Sequence, residues 1–131
     1  MRDRYIIVDD VYTDPDGLVQ AALESIKKTE LPRGNYAGVM TETTFLGEGH
    51  RQLFQGLTME PSMNSSTNAN GKIRFTLPED PFKFHIHYDV DIHTKWAGVV
   101  YLSKNHPQGI EGTSFWKHKR TGLEIAPNTI E

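Results

Sequence analysis

The order of patterns along this 131-residue chain predicts an α+β fold, with one or two helices flanking a mostly antiparallel sheet or barrel. Two observations carry that expectation. Helical periodicity is confined to the first half of the chain and period-two alternation to the second. The later strand-like runs are joined by turn-forming residues, not by helices, which argues against a parallel doubly wound sheet. Hydrophobic residues make up 37% of the chain and charged residues 24%. A globular chain of this size, read as a single domain over 1–131, buries enough surface to hold a core without staples.

Tyr5 to Val8 is a short β-prone run ended by Asp9 and Asp10, and it reads as an opening strand. A helix follows. Asp14 is placed to cap it and Pro15 suits its first position. Leu18, Val19, Ala22, Leu23 and Ile26 then recur at helical spacing until Pro32 forces a stop, giving an apolar stripe expected to pack on the sheet. Residues 32–38 form a turn-rich link. In Gly49 to Leu57, the spacing of Leu53, Phe54 and Leu57 predicts a second, shorter helix. Glu60 to Gly71 is polar and turn-forming, a surface loop. Beyond it, Lys72 to Leu77, Phe82 to Asp89, Trp96 to Leu102 and Thr113 to His118 are all strand-like. Trp96 and Trp116 are expected to fill core.

Several function classes are excluded at this stage. The formal net charge is −3 and the basic residues are scattered, so the chain lacks the electrostatic footprint of a nucleic-acid binder. There is no cysteine, hence no thiolate metal site and no cysteine nucleophile, which suits a reducing compartment. The apolar run near the N-terminus is too short for a signal peptide and no later segment is long enough to span a bilayer; a cytoplasmic protein with no membrane partner is the expectation. Neither a G-x-S-x-G elbow nor a glycine-rich phosphate loop occurs.

The stretch FKFHIHYD, residues 82–89, holds the chemistry. On a strand, Phe82, Phe84, Ile86 and Tyr88 share one face and Lys83, His85, His87 and Asp89 the other. Polar residues on the second face need no function on an antiparallel sheet with one side in water. If they do bind a metal, spacing limits the choice: residues i and i+2 lie roughly 6.6 Å apart and converge on one ion, whereas i and i+4 lie roughly 13 Å apart and do not. The usable pairs are His85 with His87, or His87 with Asp89. Only the second supplies the mixed nitrogen and carboxylate set of a non-haem Fe(II) site.

HIHYD, then WAGVVYL (96–102), then EGTSFWKHKRTGL (111–123) resembles the Fe(II) and 2-oxoglutarate-dependent oxygenase superfamily. The closest likeness is to a poorly characterised, prolyl-hydroxylase-like branch, in which a His-x-Asp strand leads to a W-A-G-V-x-Y-L strand and a G-T-x-x-(Y/F/W)-x-H-(K/R) segment. IVDDVYTDPDGL and GNYAGVMT are similar to that branch's opening strand, first helix and turn. The resemblance implies a double-stranded β-helix, a jelly-roll or cupin-like barrel, incomplete at its C-terminus here. It implies Fe(II) held by His87 and Asp89, with 2-oxoglutarate as a small-molecule co-substrate that is converted to succinate and carbon dioxide while a substrate is hydroxylated. The family's distal histidine and its basic residue for the co-substrate's far carboxylate would fall beyond Glu131.

Substitutes for those two residues are few. His118 follows Trp116 on its strand and is the one histidine after the turn-forming NHPQGIEG, which makes it the candidate third ligand, but the family segment already carries a histidine there besides the distal one, so a local structural role or a substrate contact is the expected one. His93 and His106 fall in turns. Lys117, Lys119 and Arg120 form a basic cluster that would receive a carboxylate, or simply a solvated strand end. Two readings remain: a hydroxylase or its metal-binding part, and a non-catalytic structural or interaction protein that has lost the distal half of the site. Unpaired barrel edges would favour homo-oligomers or a larger assembly, most of all under the second reading.

Overall fold

A computed structural model of the chain describes residues 5–27, 38–61, 70–80, 86–87, 95–104 and 112–125. Four elements follow one another: α1 (Pro15–Lys27), β1 (Val39–Met40), α2 (Glu48–Thr58) and β2 (Arg74–Phe75). The chain divides into two compact units, Met1–Lys83 and Phe84–Glu131, and all four elements lie in the first.

Helix α1 forms where the sequence signals it. The Asp14 carboxylate accepts the Gly17 backbone N–H at 2.9 Å, satisfying one of the four donors that a helix start leaves orphaned. Pro15 occupies the first helical position, where its missing N–H costs nothing. The apolar stripe is sheltered unevenly. Ala22 is fully buried, while Leu18, Val19, Leu23 and Ile26 are half-buried. The Ser25 hydroxyl ties this helix to the segment after β1 through Thr43, at 3.1 Å.

Helix α2 carries Leu53, Phe54 and Leu57 on one side, all half-buried. It ends at Met59, whose φ of 59° is left-handed, with its N–H returning to the Gln55 carbonyl at 2.9 Å. That geometry normally belongs to glycine.

Strands β1 and β2 pair antiparallel, Val39 opposite Phe75 and Met40 opposite Arg74. The zipper continues past the strands: Thr41 N–H donates to the Ile73 carbonyl at 2.9 Å and Phe45 N–H to the Gly71 carbonyl at 2.7 Å. Thr41 is the polar residue at the centre of this pairing, 1% exposed. Its hydroxyl accepts the Ile73 N–H at 3.0 Å and donates to the Thr43 carbonyl at 2.9 Å, so a side chain replaces a ladder carbonyl. Gly38 opens β1 at φ 90°, and a Cβ there would run into the Phe75 carbonyl oxygen. Glycine is required for both reasons.

The expected double-stranded β-helix is not what forms. The described residues hold two helices and one two-stranded antiparallel sheet. Of the strand-like runs, 72–77 contributes only Arg74 and Phe75, while 5–8, 96–102 and 113–118 join no ladder among the described residues. The reason is visible in their exposure. A barrel strand buries alternate residues, yet adjacent Val99 and Val100 are 66% and 39% exposed, and Phe115 and Trp116 are 76% and 53% exposed. Period-two alternation reports extended backbone; it does not supply the neighbour whose N–H and C=O groups complete a sheet. Trp116 is therefore outside any core, and Trp96 is half-buried. The 60–71 loop lies mostly outside the described residues, as does most of 82–89.

Candidate functional site

Of the His87 and Asp89 pair, the described residues include His87 alone. It is exposed, and its neighbour Ile86 is 63% exposed, so the face expected to enter a core is in solvent at this position. Asp89, His85, His93 and His106 lie outside the described residues. Among the described residues no group of three His, Asp or Glu side chains gathers to hold a metal ion. They do not by themselves make a facial triad.

His118 has a definite local role. Its N–H donates to the Leu123 carbonyl and its own carbonyl accepts the Gly122 N–H, both at 2.8 Å, closing a turn over 118–123. Gly122, at φ 72°, supplies the left-handed residue that the turn needs. Nδ1 of the ring sits 2.7 Å from the Thr121 hydroxyl and 3.4 Å from the Thr121 N–H. The Thr121 oxygen also takes the Leu123 N–H at 3.4 Å. A backbone N–H only donates, so Nδ1 is the unprotonated nitrogen and the ring proton sits on Nε2. To ligate a metal, this histidine would have to change tautomer or give up Thr121. Lys117 closes the same turn by pairing with Glu124 at 3.2 Å. An exposed pair of this kind contributes little stability, but it occupies the ammonium that would have received a carboxylate. Lys119 and Arg120 sit exposed in the turn.

A second histidine, unmarked by any motif, is the better-placed one. His50 lies in the first turn of α2, where Nδ1 accepts the Gly47 N–H at 3.1 Å and Nε2 meets the Tyr12 hydroxyl at 2.8 Å. The two rings are edge to face, 5.4 Å between centroids. Burial pushes the Tyr12 hydroxyl above the ordinary tyrosine range. The sequence carries a partial signal, Gly47-x-x-His50, the spacing at which a side chain reaches back to cap a helix. No local pattern announces a partner 38 residues away.

A family of unknown function (DUF6445) matches residues 1–130. The chain belongs to that family. No curated protein and no solved structure matches it. Membership therefore covers both compact units without assigning either a chemistry. No helix among the described residues is long and apolar enough to cross a membrane.

Proposed function

We propose that this member of the family is an Fe(II)- and 2-oxoglutarate-dependent oxygenase, or the metal-binding part of one, with His87 and Asp89 as two iron ligands. The carrying observation is the sequence run itself: His87-Tyr88-Asp89, followed by WAGVVYL and GTSFWKHKR in the order and spacing that resemble that superfamily. When bound, Fe(II) with 2-oxoglutarate would supply oxygen activation, consuming dioxygen and yielding succinate, carbon dioxide and a hydroxylated substrate. His87 offers a neutral nitrogen and Asp89 an anionic oxygen, a mixed set that suits this ion. The third ligand and the anchor for the co-substrate's far carboxylate are unassigned: Thr121 and Glu124 already engage His118 and Lys117, and Arg120, beside Lys119 in the same exposed turn, is the cation we put forward for the second role. A cytoplasmic location goes with this reading.

Anaerobic titration of the 131-residue chain with Fe(II), with and without 2-oxoglutarate, tests it. We expect one Fe(II) per chain, bound more tightly with 2-oxoglutarate. Binding should disappear in His87→Ala and Asp89→Ala, persist in His85→Ala, and weaken as pH falls into the range where imidazole protonates. Equal losses in all three variants, or no binding by the unaltered chain, would remove the proposal.

The second reading is a non-catalytic interaction protein. The observation favouring it is the exposure of Val99, Tyr101, Phe115, Trp116 and Ile125, five large apolar side chains in water among the described residues of the second unit. Failure to bind Fe(II), together with concentration-dependent association in sedimentation, would move the assignment there.

A further inference from the structure

The Gly47–His50–Tyr12 arrangement does not enter the metal reading, and it has a chemistry of its own. The Gly47 N–H has no alternative to donating, so Nδ1 of His50 must be the acceptor and must be unprotonated. A neutral imidazole then carries its proton on Nε2, which donates to the Tyr12 oxygen at 2.8 Å. One ring thus makes two bonds of opposite sense. On one side it caps α2; on the other it fastens the segment before α1 to α2.

Among the described residues, few side chains support the first turn of α2. Gly47 is the N-cap and has no side chain to complete a capping box, so the bond from His50 is the single arm of one. Gly49 adds helix-weakening freedom, and beside both glycines there is open space where packing would otherwise act. Beyond the bonds that the His50 and Arg51 N–H groups make to the Gly47 carbonyl, at 3.1 and 3.3 Å, the turn carries the exposed Arg51–Glu48 pair at 3.4 Å.

We propose that His50 is a proton-operated latch: the neutral ring caps α2 and tethers Tyr12, and a second ring proton releases the cap while leaving the tether in place. A doubly protonated imidazole has two donors and no acceptor, so it must turn away from the Gly47 N–H, whereas Nε2–H still reaches the Tyr12 oxygen. The titratable group on the ring from the opening segment is Tyr12. Asp9 and Asp10 precede it in that segment, and Asp14 is committed to capping α1. On α2 itself, Glu48 and Arg51 are paired with each other.

The test uses the ¹⁵N-labelled 131-residue chain. Long-range ¹H–¹⁵N correlation at about pH 8 should show the His50 proton on Nε2. The hydrogen-exchange protection factor of the Gly47 amide should fall about fivefold between about pH 8 and pH 5.5, across the range where histidines titrate, which is the factor one ordinary hydrogen bond contributes. His50→Gln keeps an acceptor at the capping position and does not titrate, so its Gly47 protection should be equal at both pH values. Tyr12→Phe should keep the pH response of Gly47. A proton on Nδ1 at high pH overturns the proposal, as does an unchanged Gly47 protection factor in the unaltered chain. The same fall in His50→Gln as in the unaltered chain also overturns it. The first two measurements stand even if a variant does not fold.

Discussion

Thr41→Val is the substitution that most directly probes how the first unit is held together. The side chain is 1% exposed, and its hydroxyl is the acceptor for the Ile73 N–H at 3.0 Å. Valine has nearly the same shape but no acceptor, so the Ile73 donor loses its partner at the centre of the β1–β2 pairing. A buried donor left unpaired costs about 1–3 kcal/mol. The Thr43 carbonyl, which loses the hydroxyl's proton, belongs to an exposed residue and regains a water. The added methyl returns up to about 0.8 kcal/mol of apolar burial. The net expectation is a loss of about 1–2 kcal/mol. Thr41→Ser keeps the hydroxyl and gives up only a methyl, about 1 kcal/mol with its small cavity. Urea unfolding followed by circular dichroism at 222 nm reads the first unit, because both helices lie there, whereas Trp96 and Trp116 report the second. Ile73 amide exchange separates the two variants: faster in Thr41→Val, unchanged in Thr41→Ser. A valine variant within about 0.5 kcal/mol of the unaltered chain, with Ile73 still protected, would refute the assignment of the hydroxyl as a ladder acceptor.

Three further outcomes follow from the backbone and from Tyr12. Gly38→Ala places a Cβ against the Phe75 carbonyl at a φ of 90°, and should cost more than about 2 kcal/mol in the same unfolding assay, from left-handed strain and a disrupted pairing. Met59→Gly should do the opposite: at φ 59° with a side chain 85% exposed, glycine removes strain and sacrifices little packing, raising stability by about 0.5–1 kcal/mol. Because burial raises the Tyr12 hydroxyl above its unfolded value, the contribution of its neutral form is complete below about pH 10 and is lost as pH rises through the raised folded value. Stability of the unaltered chain should therefore drop more steeply above pH 10 than that of Tyr12→Phe, and parallel curves would contradict a burial-raised hydroxyl.

The two helices were legible because their signals are local. Asp14, Pro15 and the stripe from Leu18 to Ile26 mark the start and face of α1, and the structure begins α1 at Pro15 with Asp14 on the Gly17 N–H. The spacing of Leu53, Phe54 and Leu57 marks α2 in the same way, and its observed bounds of Glu48 and Thr58 differ from the expected ones by one residue at each end. The strands were not legible to the same degree. Residues 96–102 and 113–118 alternate as a strand does, but a strand is completed by another segment's N–H and C=O groups, and no period in a sequence names that segment. The barrel expectation, which came from resemblance, failed at that step.

The same division runs through the candidate site. The sequence by itself determined the His87-x-Asp89 spacing, the absence of cysteine, the cap of α1 and the apolar stripes of both helices. These are properties of neighbours along the chain, fixed by rise per residue, side-chain direction and the φ values each residue tolerates. Only the tertiary structure decided that Thr41 stands in for a ladder carbonyl opposite Ile73, that Phe115 and Trp116 face water, and that His50 bonds Tyr12 across 38 residues. Each of those depends on which distant segments approach one another. That choice is made by the summed free energy of the folded chain and leaves no periodic trace in the residues that make it.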